Sequence, residues 1–187
     1  MKRRILGYVA VVATVICLCA APSFAADNYK IGVGYQGLIA GNILNGASVR
    51  GWLGPKTAIG VEANGFYGAA KISVTGAPTD VSADLWLIEL KPMYAFIVRD
   101  NSRFYAGLKG AYGRYTTSTG TDMTGKFWMG GALVGAEWNF PALPEVGFNF
   151  EVGYNYVSDN NSVDGSTTEV DIKLHGINVG AGIKYYF

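Results

Sequence analysis

The chain of 187 residues offers few side chains suited to catalysis. Its one histidine, His175, stands in Lys173-Leu174-His175-Gly176-Ile177-Asn178, with no nucleophile and orienting acid in evident register beside it. A hydrolytic triad therefore has no support. The two cysteines, Cys17 and Cys19, lie in an amino-terminal stretch that reads as removable. Thiolate metal sites, disulfides and cysteine nucleophiles leave with them. The segment Asp159-Asn160-Asn161-Ser162-Val163-Asp164-Gly165 has the composition of a calcium loop but not its spacing. Gly165 falls seventh rather than sixth, Val163 occupies a ligand position, and no Glu stands twelfth. A solvated acidic loop is the better reading, and no metal or cofactor is expected.

Nine charged residues form the nearest thing to a constellation. They are Lys30, Arg50, Lys91, Lys109 and Lys184 against Glu62, Glu89, Glu137 and Glu151. All fall at alternate positions of strand-like segments, on the face opposite the apolar residues. Burying an unpaired ion costs several kcal/mol, so a narrow interior holding both signs should form salt bridges that fill it. A structural plug is the expected role. A gated ion path is the alternative, since ionisable residues at membrane depth can mark conduction routes.

The elements that must carry these residues begin after a leader. Basic Lys2-Arg3-Arg4, an apolar stretch from Ile5 to Ala21 and the small-residue site around Ser23 and Ala25 read as an export signal, with cleavage after Ala25. This divides the chain into a signal peptide, 1–25, and one domain, 26–187. Lipidation lacks its signal, because Cys17 follows Ile16 and Cys19 follows Leu18. Removing the leader leaves 12 Lys and Arg against 14 Asp and Glu, a balance that gives no support for nucleic-acid binding.

No apolar run in the remainder suits a spanning helix; the best, Leu85 to Val98, is interrupted by Glu89, Lys91 and Pro92. Instead, eight segments alternate with a period of two: 28–38, 46–53, 57–69, 82–97, 103–116, 126–140, 146–158 and 170–187. Their connections alternate between short (54–56, 98–102, 141–145) and long (39–45, 70–81, 117–125, 159–169). An up-and-down barrel in an outer membrane has this layout, with both termini on the periplasmic side. In the last segment Ile177, Val179, Ala181, Ile183, Tyr185 and Phe187 share one face, and Gly176, Asn178, Gly180, Gly182, Lys184 and Tyr186 share the other.

A water-soluble barrel would alternate too, but it would need a charged exterior. The polar face here carries only one or two charges per strand, padded by Gly and Asn, too few to dress a solvated surface. Aromatics such as Trp86, Tyr112, Trp128, Trp138 and Tyr156 lie near strand ends on the other face, where interfacial girdles belong. The expected fold is an all-β, eight-stranded antiparallel up-and-down transmembrane β-barrel. Pro92 is expected to need a bulge or an early strand end.

The ending Gly180-Ala181-Gly182-Ile183-Lys184-Tyr185-Tyr186-Phe187 resembles the C-terminal signal of small outer-membrane barrels, the family typified by the OmpA membrane domain, OmpX and the opacity-type surface proteins. The resemblance spans the whole mature chain. It implies an outer membrane of a Gram-negative-type bacterium, and a barrel-assembly machinery that reads Ile183, Tyr185 and Phe187. Enzymes of this fold that act on lipopolysaccharide need a partnered histidine. Ile177 stands where a deacylase-like pattern would have Ser, so no enzymatic activity is expected. Lys71, Arg114 and Lys126, near the outer strand ends, could meet lipopolysaccharide phosphates. The expected function is structural or adhesion-like, through outward loops whose extracellular ligand is not legible. A narrow channel for small solutes is the runner-up, and a lipid-modifying enzyme the third reading.

Overall fold

The computed structural model describes residues 29–38, 44–53, 58–72, 81–118, 122–162 and 169–187, so the export-signal reading of 1–25 lies outside the described residues. Eight strands form: β1 (Tyr29–Leu38), β2 (Asn45–Leu53), β3 (Ile59–Ile72), β4 (Val81–Arg99), β5 (Ser102–Ser118), β6 (Asp122–Phe140), β7 (Leu143–Ser162) and β8 (Glu169–Tyr186). Each pairs antiparallel with its chain neighbours, and β1 pairs with β8 to close the barrel. Closure removes the two free sheet edges that an open sheet would leave, which is what a strand structure in lipid requires.

The strands run further than the alternation alone predicts. β6 starts at Asp122 and β5 ends at Ser118, so residues 119–121 replace the long connection expected over 117–125. β7 likewise continues to Ser162, which takes Asp159 out of the supposed loop. Polar Thr, Ser, Asn and Asp hide these extensions from a pattern reading, because above the apolar band both faces of a strand are polar. A crossing strand needs ~9–11 residues. β1 and β2, with 10 and 9 residues, just meet that, whereas β4 to β8 have 17 to 20. The wall is therefore tallest on the β4–β8 side.

Pro92 sits within β4, opposite Val61 of β3. Toward β5 the ladder skips residues 91 and 92 but keeps its register, from Leu90↔Gly110 to Met93↔Gly107. The bulge expected at Pro92 lies instead between Ala95 and Ile97. The proline's missing N–H is absorbed by a local gap in one ladder.

Side-chain distribution is inverted relative to a water-soluble barrel. Ile88, Leu90, Leu108, Val134, Tyr154, Ile177 and Ile183 are exposed on the outer wall, while Arg50, Glu62, Lys91, Glu137, Glu151 and Lys184 are buried inside. The lumen is layered. At the short-turn end Trp52, Met93, Ala95, Tyr105, Leu133 and Tyr186 pack together. At the long-loop end Phe66, Leu87 and Ala111 pack with Leu44, Phe127 and Met129. The charged side chains lie between these two apolar layers. Inward glycines make room for the large side chains: a Cβ on Gly135 would come within 2.7 Å of the Tyr105 ring, and one on Gly60 within 2.5 Å of Trp52.

Candidate functional site

Alternation along β2 turns Arg50 and Trp52 inward together, and the same parity on β3, β4, β6, β7 and β8 brings the acids and lysines to meet them. Arg50 is the hub, fully buried, with its guanidinium fork serving three carboxylates. Nε donates to Glu62, Nη1 to Glu137 at 2.6 Å and Nη2 to Glu151 at 2.7 Å. Only Arg offers donors in this fixed planar fan. Lys91 Nζ lies 2.5 Å from Glu62 and 2.7 Å from Glu151, with Glu89 further off at 3.8 Å. Lys184 Nζ approaches Glu62 at 3.4 Å and donates to Asn149 and Gln36 at 2.8 and 3.0 Å.

Three bases and three acids thus close a neutral core, and two phenols complete it. Tyr105 donates to Glu151 at 2.8 Å and Tyr186 to Glu137 at 2.6 Å. The Arg50 guanidinium lies 5.1 Å from the centroid of the Tyr105 ring, which covers one of its faces. Such a cluster draws on seven strands, β2 to β8, so it ties opposite walls of the barrel together.

Of the nine predicted lumen residues, the structure joins Arg50, Glu62, Lys91, Glu137, Glu151 and Lys184 directly. Glu89 stands at the margin, where it accepts from Asn64 at 2.9 Å. Lys109 stands apart: its Nζ donates to Asn178 at 2.8 Å and meets no carboxylate among the described residues. The side chain of Lys30 lies outside the described residues. Arg103 is an addition to the predicted set; it reaches Glu137 at 3.8 Å and lies 4.9 Å from the Trp52 ring centroid. The parity that selects Lys109 also turns Arg103 and Tyr105 inward, so the signal is present in the sequence.

His175 is exposed on the outer wall, where its Nδ1 lies 2.7 Å from the Tyr154 hydroxyl. Asp159 is buried inside and accepts from Tyr115 at 2.6 Å. The remainder of the calcium-like segment, 163–165, lies outside the described residues. Among the described residues no group of three acidic, His or Cys side chains is placed to hold a metal.

No protein-family model matches the sequence, and no curated protein matches it either. Solved structures do. The N-terminal β-barrel domain of Pseudomonas aeruginosa OprF is 13% identical with a TM-score of 0.52, over 86% of this chain and 98% of that one. A major outer membrane protein from Thermus thermophilus is 12% identical with a TM-score of 0.51, over 85% of this chain and 99% of that one. The fold is that of a small outer-membrane β-barrel.

The outer wall of this outer-membrane-type barrel fits a bilayer in height as well as polarity. Trp128 and Trp138 face outward on β6, ten residues apart. At ~3.3 Å per residue and a strand tilt of ~40°, that spacing is ~25 Å along the barrel axis, the height of an outer-membrane apolar band. Val134, Leu108 and Ile88 cover the interval between the girdles. Ile183, Tyr185 and Phe187 are exposed on the same wall at the short-turn end, and Phe187 N donates to Ile31 O at 3.0 Å. Arg114 and Lys126 also face outward, at the long-loop end, while the side chain of Lys71 lies outside the described residues.

Proposed function

We propose that this protein is a sealed outer-membrane scaffold that presents its long-loop end at the cell surface, in a structural or adhesion-like role. The observation that carries this reading is the fully buried Arg50 holding Glu62, Glu137 and Glu151 between two apolar layers of the lumen. A lumen so filled supports no solute path, which leaves the exposed end as the place for interaction. The leader directs export and is removed after Ala25, and the ending Ile183, Tyr185, Phe187 is read by the assembly machinery.

The test replaces segments 39–43, 73–80 and 163–168 one at a time with Gly-Ser tracts of equal length in an expressing cell. Adhesion to cell or abiotic surfaces should fall for at least one replacement, while folded protein in the membrane stays constant. Unchanged adhesion in all three would refute the surface role. Intact mass of the extracted chain checks cleavage after Ala25.

One observation favours a second reading, a narrow channel. Ser48 Oγ, Asn64 Oδ1 and Asn155 Oδ1 are buried without hydrogen-bond partners, in places where water entering the lumen would satisfy them.

A further inference from the structure

The outer wall of the β5–β6 ribbon carries an ordered series of features that neither barrel closure nor lumen packing requires. Arg114 and Lys126 stand directly opposite each other in the ladder. Their other cross-strand neighbours are Trp86 and Asn160, and no carboxylate ion-pairs with either cation among the described residues. Like charges facing one another across strands are destabilising, and an anion bridging both removes that penalty.

One pleat toward the membrane centre lie Tyr112 and Trp128, also paired, with ring centroids 4.7 Å apart, and Trp86 packs 5.8 Å from Tyr112. At two residues per pleat this places the cations ~5 Å above the aromatic girdle, the level of lipid headgroups. The next pair inward is Gly110 and Gly130. A Cβ added to either would meet nothing within 4 Å, so a side-chain-free notch opens on the wall there. Leu90, opposite Gly110, and Tyr156, opposite Gly130, stand at its two sides. Exposed Leu108, opposite Ala132, continues the apolar track below.

Charge, then aromatic, then open apolar notch is the profile of an anionic lipid read from headgroup to acyl chain. We infer that the β5–β6 wall binds a phosphate-bearing glycolipid of the outer leaflet, with the phosphate between Arg114 and Lys126 and an acyl chain laid over Gly110 and Gly130. This rests on the membrane placement proposed above. It replaces a looser contact of Lys71, Arg114 and Lys126 with a track on two adjacent strands, at the one place among the described residues where two such open glycines stand side by side in the ladder.

The test uses protein extracted in mild detergent from membranes of expressing cells, stripped of lipid, and titrated with diphosphoryl lipid A, phosphatidylcholine or inorganic phosphate under native mass spectrometry. Heat-modifiable mobility on a gel reports the folded barrel in every sample. Lipid A should bind in preference to phosphatidylcholine. The double variant Arg114→Gln/Lys126→Gln should weaken it by roughly tenfold or more, as expected for lost charge-assisted hydrogen bonds. Gly110→Leu/Gly130→Leu should weaken it with both cations intact, and Arg114→Lys should retain most binding. Equal lipid A binding by the wild type and both double variants would overturn the inference. So would phosphatidylcholine binding as tightly, or displacement of lipid A by an equal concentration of inorganic phosphate. Absence of a heat-modifiable wild-type band would instead defeat the membrane reading itself.

Discussion

Arg50 serves three carboxylates at once, and this makes it the least replaceable side chain in the lumen. Arg50→Met keeps the length and packing but leaves Glu62, Glu137 and Glu151 with fewer positive partners in a site closed to water. Breaking a buried ion pair from one side typically costs ~3–5 kcal/mol. The urea midpoint for loss of the folded gel band should drop accordingly, and a midpoint equal to the wild type would mean that the cluster is solvated. Gly135 offers a steric test of the same packing, since its Cβ would lie 2.7 Å from Tyr105. Gly135→Val should destabilise by ~1–3 kcal/mol in the same assay, as overpacked cores do, whereas Gly51→Val, where an added Cβ meets open space, should be near neutral. The charged members of the cluster are largely legible in the sequence, because each inward charge betrays itself by parity against an apolar neighbour. Arg103 and Tyr105 are harder to place, because they stand at the short-turn end, where composition alone assigns aromatic and charged residues to the girdle. What parity cannot supply is partner choice. Lys109 has the same credentials as Lys91, yet it donates to Asn178 and not to a carboxylate.

Strands set which of these residues meet. β6 runs from Asp122 to Phe140 and carries a girdle tryptophan on either side of the apolar band. Val134 lies between them, exposed on the outer wall. Arg placed there would face hydrocarbon near the midplane, at a cost of ~2–4 kcal/mol. Folding titrations of Val134→Arg in lipid should show that loss, and Val134→Leu should not. The eight-strand count, the antiparallel order and the two faces are readable from period-two alternation. Strand ends are not, because polar extensions such as Thr116 to Ser118 and Asp159 to Ser162 alternate between polar and polar. Pro92 misleads for a related reason. A missing N–H marks a ladder gap, but it does not say which ladder, and the bulge forms near Phe96 instead. At the other end of the chain, Phe187 donates its N–H to Ile31 and extends the apolar face of β8. Deleting it should lower the amount of folded barrel in the membrane several-fold without changing the urea midpoint of what does assemble, if recognition rather than stability is its role. An equally lowered midpoint would assign Phe187 to closure of β1 on β8.

At the scale of the molecule, two facts are set against each other. An apolar exterior with a ~25 Å interval between girdles suits the chain to lipid, and a neutral ionic cluster around Arg50 crosses its interior. Apolar side chains pack toward either end of the lumen, Trp52, Tyr105 and Tyr186 in one layer and Phe66, Leu87 and Phe127 in the other. On the proposed reading, such a barrel is a wall that holds its outer end in place, and the inferred lipid site lies on the outside of β5 and β6. The measurement closest to that claim is single-channel current across a planar bilayer, recorded for the protein extracted from membranes and for its Glu89→Gln/Lys109→Met variant. The wild type and variant should both be silent, because the cluster around Arg50 remains intact in each. Steady unitary current in the wild type, altered in size by those two replacements, would contradict the sealed lumen and make its charges the functional site.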